Sequence, residues 1–350
     1  MPRNDAISAL KAIGILLMVW WHAKYFAYGG IFITMFHLCA GYCMKDDYLT
    51  DAWTFVKKRF KGLYLPYIGW GIVFLLCHNL FFRLNIYHPD YSQWADARLY
   101  SVQEIAKRLV QLIGMNNKEL LLGPYWFLRT LFWGSLLGYM LLRLMRRPWA
   151  ACAAALVLAV LASHFGWGWR NWTWGLGKAD CLAALFFLCG YWYRKSGWHV
   201  ENSAWIIIIG MAGAAVGVRF CSNDMFSVSA RQMIPFVVTA SLGTFVVFAA
   251  AVVLMRGRMV PEWVKRTLRF FGDHTLAVLT FHLLCFKLVN LCIISAAGLP
   301  MERLAEFPVM TTYAQSGWWV LYLLVGAGLP ALFVRLLQIA KATWKRPSGA

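Results

Sequence analysis

Apolar runs of roughly 17–25 residues recur ten times along this chain, at 6–25, 28–44, 63–82, 122–142, 148–165, 176–193, 203–219, 233–255, 273–294 and 317–339. Wound as helices at about 1.5 Å per residue, such runs reach across the roughly 30 Å hydrocarbon core of a bilayer. Only 14% of the 350 residues are charged and 61% are hydrophobic, whereas soluble domains carry about a quarter charged residues. The expected fold is therefore all-α: a polytopic membrane protein of about ten transmembrane helices, forming a single membrane-embedded domain over 1–350. Arg3 precedes the first run as it would in a signal peptide, but that run ends in WWHAKYF with no small-residue cleavage site, and a retained helix is expected.

The formal charge of +19 invites a nucleic-acid reading, and its distribution argues against one. With the N-terminus in the cytoplasm, ten spans place 19 of the 34 Lys and Arg on the cytoplasmic side and about eleven opposite. That is the positive-inside asymmetry, so both termini are expected in the cytoplasm and membrane lipids rather than nucleic acid are the expected partners. Eight of the nine cysteines lie inside predicted spans, with only Cys221 outside. They form no C-x-x-C pair and no Cys/His spacing suited to zinc, so neither a disulfide framework nor a metal is expected. Between the second and third spans, KDDYLTDAWTFVKKRFKG reads as a basic interfacial helix whose lysines are solvated. GWGWRNWTWGLG reads as an aromatic belt at the outer interface.

Ionisable groups inside a membrane helix are costly and usually serve function. The first span carries two, Lys11 and His22, eleven residues apart. At about 100° per residue they return to within about 20° of one helix face, separated by a rise of roughly 16 Å. Four further histidines lie in spans: His37, mid-span in the neighbouring helix; His78 and His164, near helix ends and read as interfacial; and His282. Taken singly, each reads first as a helix-to-helix hydrogen bond. There is no G-x-S-x-G elbow, no P-loop and no H-E-x-x-H, so the serine hydrolase, NTPase and zincin classes lack their carriers.

At these residues the chain resembles the integral-membrane acyltransferases of acyltransferase family three. RNDAISALKAIGILLMVWWH is similar to that family's opening, in which an Asp precedes a basic residue that is followed, after ten intervening residues, by His; here they are Asp5, Lys11 and His22. Lys11 stands where the family more often has Arg, keeping the charge and losing the bidentate fork. MFHLCAGYCMK resembles a second-helix pattern ending in Ser-Gly-aromatic, with Ala40 in place of the serine before Gly41 and Tyr42. VKKRFKGLYLPY is similar to a basic segment leading to a proline, matching at Arg59 and Pro66 but lacking a second arginine. GPYWFLRTLF resembles a Trp-Phe-Leu element at Trp126 to Leu128, and FFGDHTLAVLTFHLLCF a late helix ending in His282.

The resemblance implies a multi-pass protein of the bacterial cytoplasmic (inner) membrane. It would move an acyl group, acetyl in the first place, from acyl-CoA (acetyl-CoA) to a hydroxyl of a cell-surface glycan or its lipid-linked precursor, as in O-acetylation of bacterial surface polysaccharides. His22 matches the catalytic position, and His37 is carried as a secondary catalytic candidate because adjacent antiparallel helices bring it toward the first. Lys11, with Arg59 and Lys58 from the basic linker, would meet the CoA phosphates, and Trp126 would line the acyl or CoA passage. Asp5 would orient Lys11 or a neighbouring helix through a salt bridge, and His282 would pin its own helix. Two alternatives stay open at this stage. One is a transporter or flippase for a glycan or lipid using an intramembrane His/Lys proton relay. The other is an unrelated membrane acyltransferase with one intramembrane His acting on a lipid or peptide. No internal repeat supports the transporter.

Overall fold

The computed structural model describes residues 5–23, 29–91, 97–167, 176–203, 205–221 and 224–344, and the regular structure among them is entirely helical. In chain order the helices are α1 (Asp5–His22), α2 (Gly29–Tyr42), α3 (Ala52–Arg59), α4 (Leu65–Arg83), α5 (Val102–Ile113), α6 (Trp126–Met145), α7 (Pro148–His164), α8 (Lys178–Ser196), α9 (Trp205–Gly217), α10 (Met233–Arg256), α11 (Glu262–Asp273), α12 (Thr275–Ala297), the single turn α13 (Thr311–Tyr313) and α14 (Trp319–Trp344). Each expected span holds a helix: α1, α2, α4, α6 to α10, α12 and α14. Most of the tryptophan-rich segment, 168–175, lies outside the described residues.

Among the described residues, five helical stretches are by length and composition long and apolar enough to cross a membrane: Asp5–His22, Ala52–Arg83, Ala230–Arg256, Thr275–Ala297 and Thr311–Lys341. The other helices are shorter as described or carry charge. α2, α7 and α9 have 14, 17 and 13 described residues, α2 and α9 each starting where the described residues resume. α6 and α8 are long enough but carry charge, part of it a buried ion pair in which Arg129 Nη1 lies 3.1 Å from Asp180 Oδ2. Two helices thus each look polar alone and neutralise one another when packed.

α1 is the hub, packing on α2, α10, α11, α12 and α14. Small residues set the closest crossings. A Cβ on Gly41 of α2 would stand 1.7 Å from the carbonyl oxygen of Phe187 on α8, and one on Gly190 of α8 would stand 2.0 Å from that of Leu38. Both glycines are needed because the two backbones touch. The basic segment after α10 folds as the amphipathic α11 and lies across the start of α1. There Arg269 Nε is 3.3 Å from Asp5 Oδ2, and the Ser8 hydroxyl donates to Asp273 Oδ1 at 3.2 Å.

Two intervals depart from the sequence reading. The basic linker is continuous with the third span: α3 passes through a wide turn at Phe60–Tyr64, where the Leu65 amide bonds to the Phe60 carbonyl five residues back, and runs on into α4. Such wide turns accommodate Pro66, which lacks an amide hydrogen, just inside α4. The lysines Lys57, Lys58 and Lys61 are exposed, as expected of a solvated face, while Phe55 is buried against Tyr139 with ring centroids 4.5 Å apart.

The long interval from Arg83 to Leu121 does not simply loop through solvent. α5 runs antiparallel along α4: Asn79 and Tyr100 exchange two hydrogen bonds at one end, Leu112 fills the space above Gly71, and the Tyr64 hydroxyl donates to the Ile113 carbonyl at the other. The chain then returns through a buried segment that includes Met115, Asn116 and Leu120 to Leu122. His78, expected at an interface, is instead buried there. Its Nδ1 is 3.1 Å from both Glu119 carboxylate oxygens, its Nε2 is 3.0 Å from the Arg98 carbonyl, and Tyr87 donates to the same carboxylate.

Candidate functional site

The α1 face that carries Lys11 and His22 is turned inward, toward α2, α6 and α12. Two adjoining cavities lie along it. The larger, about 290 Å³, is lined by Lys11 with Cys39 and Ala40 of α2, Cys43 just after it, Gly62 and Leu63 of the wide turn, Leu128 and Leu131 of α6, and Thr275 and Leu276 of α12. The smaller, about 10 Å³, is lined by His22, Met18, Ile33, Pro124 and Trp126. Ile15, Phe36, Phe127 and Leu279 belong to both walls, so four apolar side chains separate the Lys11 end from the His22 end. Lys11 and His22 therefore border two neighbouring cavities on one face of α1, divided by these four shared side chains.

Each part of the wall has a local cause. The wide turn at Phe60–Tyr64 swings Gly62 and Leu63 into the Lys11 cavity, and a Cβ on Gly62 would meet nothing within 4 Å. Pro124 lies near the end of the buried return of the long interval, two residues before α6 begins, where Trp126 joins it in lining the His22 cavity. The Tyr125 hydroxyl, 2.8 Å from Thr280 Oγ1, fastens that junction to α12; Thr280 donates onward to the Leu276 carbonyl.

The histidines separate clearly. His22 Nδ1 lies 2.9 Å from His282 Nε2, with the rings stacked at 5.0 Å and 14°. His282, expected to pin its own helix, is thus brought onto the first-helix site. His37 is directed elsewhere. Its Nε2 bonds to Thr130 Oγ1 at 3.1 Å and its ring meets the edge of Phe127, which stands between it and the cavities. Asp5 holds Arg269 of α11, the neighbouring-helix alternative. Arg59 reaches the Ala40 carbonyl at 3.4 Å, with its guanidinium carbon 5.0 Å from the Phe55 ring and 5.6 Å from that of Phe187, beside the wall of the Lys11 cavity. Lys58 is farther out, donating to the Tyr48 hydroxyl at 2.6 Å.

A family model described as an acyltransferase domain, that of acyltransferase family three, matches residues 4–339. The chain belongs to that family. Comparison with curated proteins and with solved structures finds no match. As a member of this family the chain is a membrane acyltransferase, and the matched range spans every helix that lines the two cavities.

Sequence reasoning missed the wall residues Phe36, Phe127 and Leu279, the thiols Cys39 and Cys43, and the buried pair Arg129–Asp180. Cys39 and Cys43 sit four residues apart and so share a face of α2, a signal present in the spacing. Arg129 was visible as a charge within a span, three residues after Trp126. The apolar wall had no signal, since Leu and Phe line a cavity and fill a core with the same periodicity.

Proposed function

We propose that this acyltransferase moves an acyl group, acetyl in the first place, from acyl-CoA to a hydroxyl of a cell-surface glycan or its lipid-linked precursor in the bacterial cytoplasmic membrane. The observation that supports the reading is that Lys11 and His22 line neighbouring cavities with a shared apolar wall on one face of α1. An extended pantetheine arm is comparable with the roughly 16 Å rise between them. Phosphates held near Lys11 would therefore deliver the thioester to the imidazole. Lys11 acts as a point charge on the phosphates, and the exposed Lys57, Lys58 and Lys61 draw the anionic donor toward that end.

His22 serves as general base. The acceptor O–H gives its proton to the ring as the oxygen bonds to the thioester carbonyl carbon. The C–S bond then breaks, and the departing CoA thiolate takes the proton back from the imidazolium, so ester, CoA thiol and neutral His22 are the products. Nothing further is consumed. His37, bonded to Thr130 behind Phe127, is assigned a packing role in this scheme. The transporter reading has no matching support, since the family is one of acyltransferases.

Deleting the gene and profiling O-acyl groups on surface glycans and lipids tests the proposal. One ester should disappear, return with the wild-type gene and stay absent with His22→Ala; an unchanged profile on deletion contradicts the assignment.

A further inference from the structure

We infer that His282 is a positioning residue that fixes the tautomer of His22 and so places the base's lone pair on Nε2. The inference rests on the acyl-transfer reading above and deepens it. His282 Nδ1 lies 2.9 Å from the Val278 carbonyl and 3.1 Å from the Leu279 carbonyl, both in the preceding turn of α12. Carbonyl oxygens only accept, so Nδ1 of His282 carries the hydrogen. A neutral imidazole has one N–H, which leaves Nε2 of His282 as an acceptor. The atom 2.9 Å from it is Nδ1 of His22, which must then donate. With Nδ1 protonated, the basic lone pair of His22 is on Nε2.

The arrangement does for His22 what a carboxylate or carbonyl does for histidines elsewhere: a hydrogen bond at one ring nitrogen decides which nitrogen reacts. His282 is fully buried and edge-on to Phe286 with centroids 5.7 Å apart, so its orientation is set by its own helix and its packing. When His22 takes up the acceptor's proton, the Nδ1–H donor becomes cationic and its bond to His282 strengthens, which stabilises the imidazolium at the moment it forms. A mere helix pin requires only that His282 bond to something. A tautomer lock requires an acceptor at that point, and the two differ in what they tolerate.

The test compares His282→Gln, whose side-chain oxygen offers an acceptor near the position of Nε2, with His282→Leu, which offers none. With acetyl-CoA as donor, the Leu variant should lose about 100-fold in kcat with KM for acetyl-CoA unchanged, and the Gln variant should retain at least a tenth of wild-type kcat. Equal loss in both, or wild-type kcat in the Leu variant, overturns the inference. Ring 15N spectra of wild-type protein, assigned with His22→Ala, read the tautomer without relying on a variant that must fold. Protonation of His22 at Nδ1 is expected, and protonation at Nε2 overturns the lock. The underlying reading fails separately: His22→Ala that transfers normally removes the base itself, whereas an inactive His22→Ala beside a fully active His282→Leu removes only the role of His282.

Discussion

Gly41 is the most exacting position in the bundle, and replacing it with alanine has a sign and size that follow from geometry. Its Cβ would lie 1.7 Å from the Phe187 carbonyl oxygen, where ordinary contact begins near 3.4 Å, so α2 and α8 must separate by about 1.7 Å. Backbone cannot step aside as a flexible side chain does. Overpacking of this kind costs about 1–3 kcal/mol, and alanine's better helix propensity returns about 1 kcal/mol at most. At about 2 °C per kcal/mol for a chain of this length, the net change is a drop of up to about 4 °C in apparent melting temperature in detergent. Gly69→Ala in α4 is the matched control, because its Cβ would meet nothing within 4 Å; it should melt at or slightly above wild type. The neighbouring residues Cys39, Ala40 and Cys43 line the larger cavity, so Gly41→Ala should also weaken donor binding. Equal melting of Gly41→Ala and Gly69→Ala would refute the close crossing of α2 and α8.

Three further outcomes follow. Lys11→Ala should raise KM for acyl-CoA about 10- to 100-fold with kcat largely kept, the loss of one charge-assisted phosphate contact, and Lys11→Arg should restore it; an unchanged donor requirement in initial-rate measurements contradicts the phosphate role. Arg129→Leu strands the Asp180 carboxylate in the interior at a cost of about 3–5 kcal/mol, and pairing it with Asp180→Leu should recover most of the stability; thermal melts in which the double variant is no better than the single contradict a mutual neutralisation. In a variant retaining Cys43 as its one cysteine, CoA or acetyl-CoA should slow maleimide labelling several-fold, since this exposed thiol lines the larger cavity, where the donor is proposed to bind; equal labelling rates with and without CoA place the donor elsewhere.

Hydropathy located the helices because long apolar runs need no partner to be recognised, and the ten expected intervals are helical. α5 and α11 escaped for the opposite reason. Their apolar residues lie on one face only, and charges such as Glu104, Arg108 and Arg269 lower the average, so only the packing surfaces on α4 and α1 reveal their places. Within the site, Lys11 and His22 were legible because one helix's periodicity relates them. The bond from His22 to His282 joins residues 260 apart in the chain, and no local pattern encodes such a pairing. His37 illustrates the converse: adjacency of α1 and α2 was foreseeable, but which way its ring turns depends on Thr130, 93 residues away. The neutral interior pair Arg129–Asp180 was hidden for the same reason.

The central claim is that His22 acts as the base that transfers an acyl group from CoA held near Lys11. The most direct measurement incubates membranes containing the protein with acetyl-CoA labelled in its acetyl group and follows alkali-labile label in the glycan and lipid fractions. Wild-type membranes should accumulate label in one fraction and His22→Ala membranes, carrying equal amounts of folded protein, should not; label that accumulates equally in both, or in neither, contradicts the account.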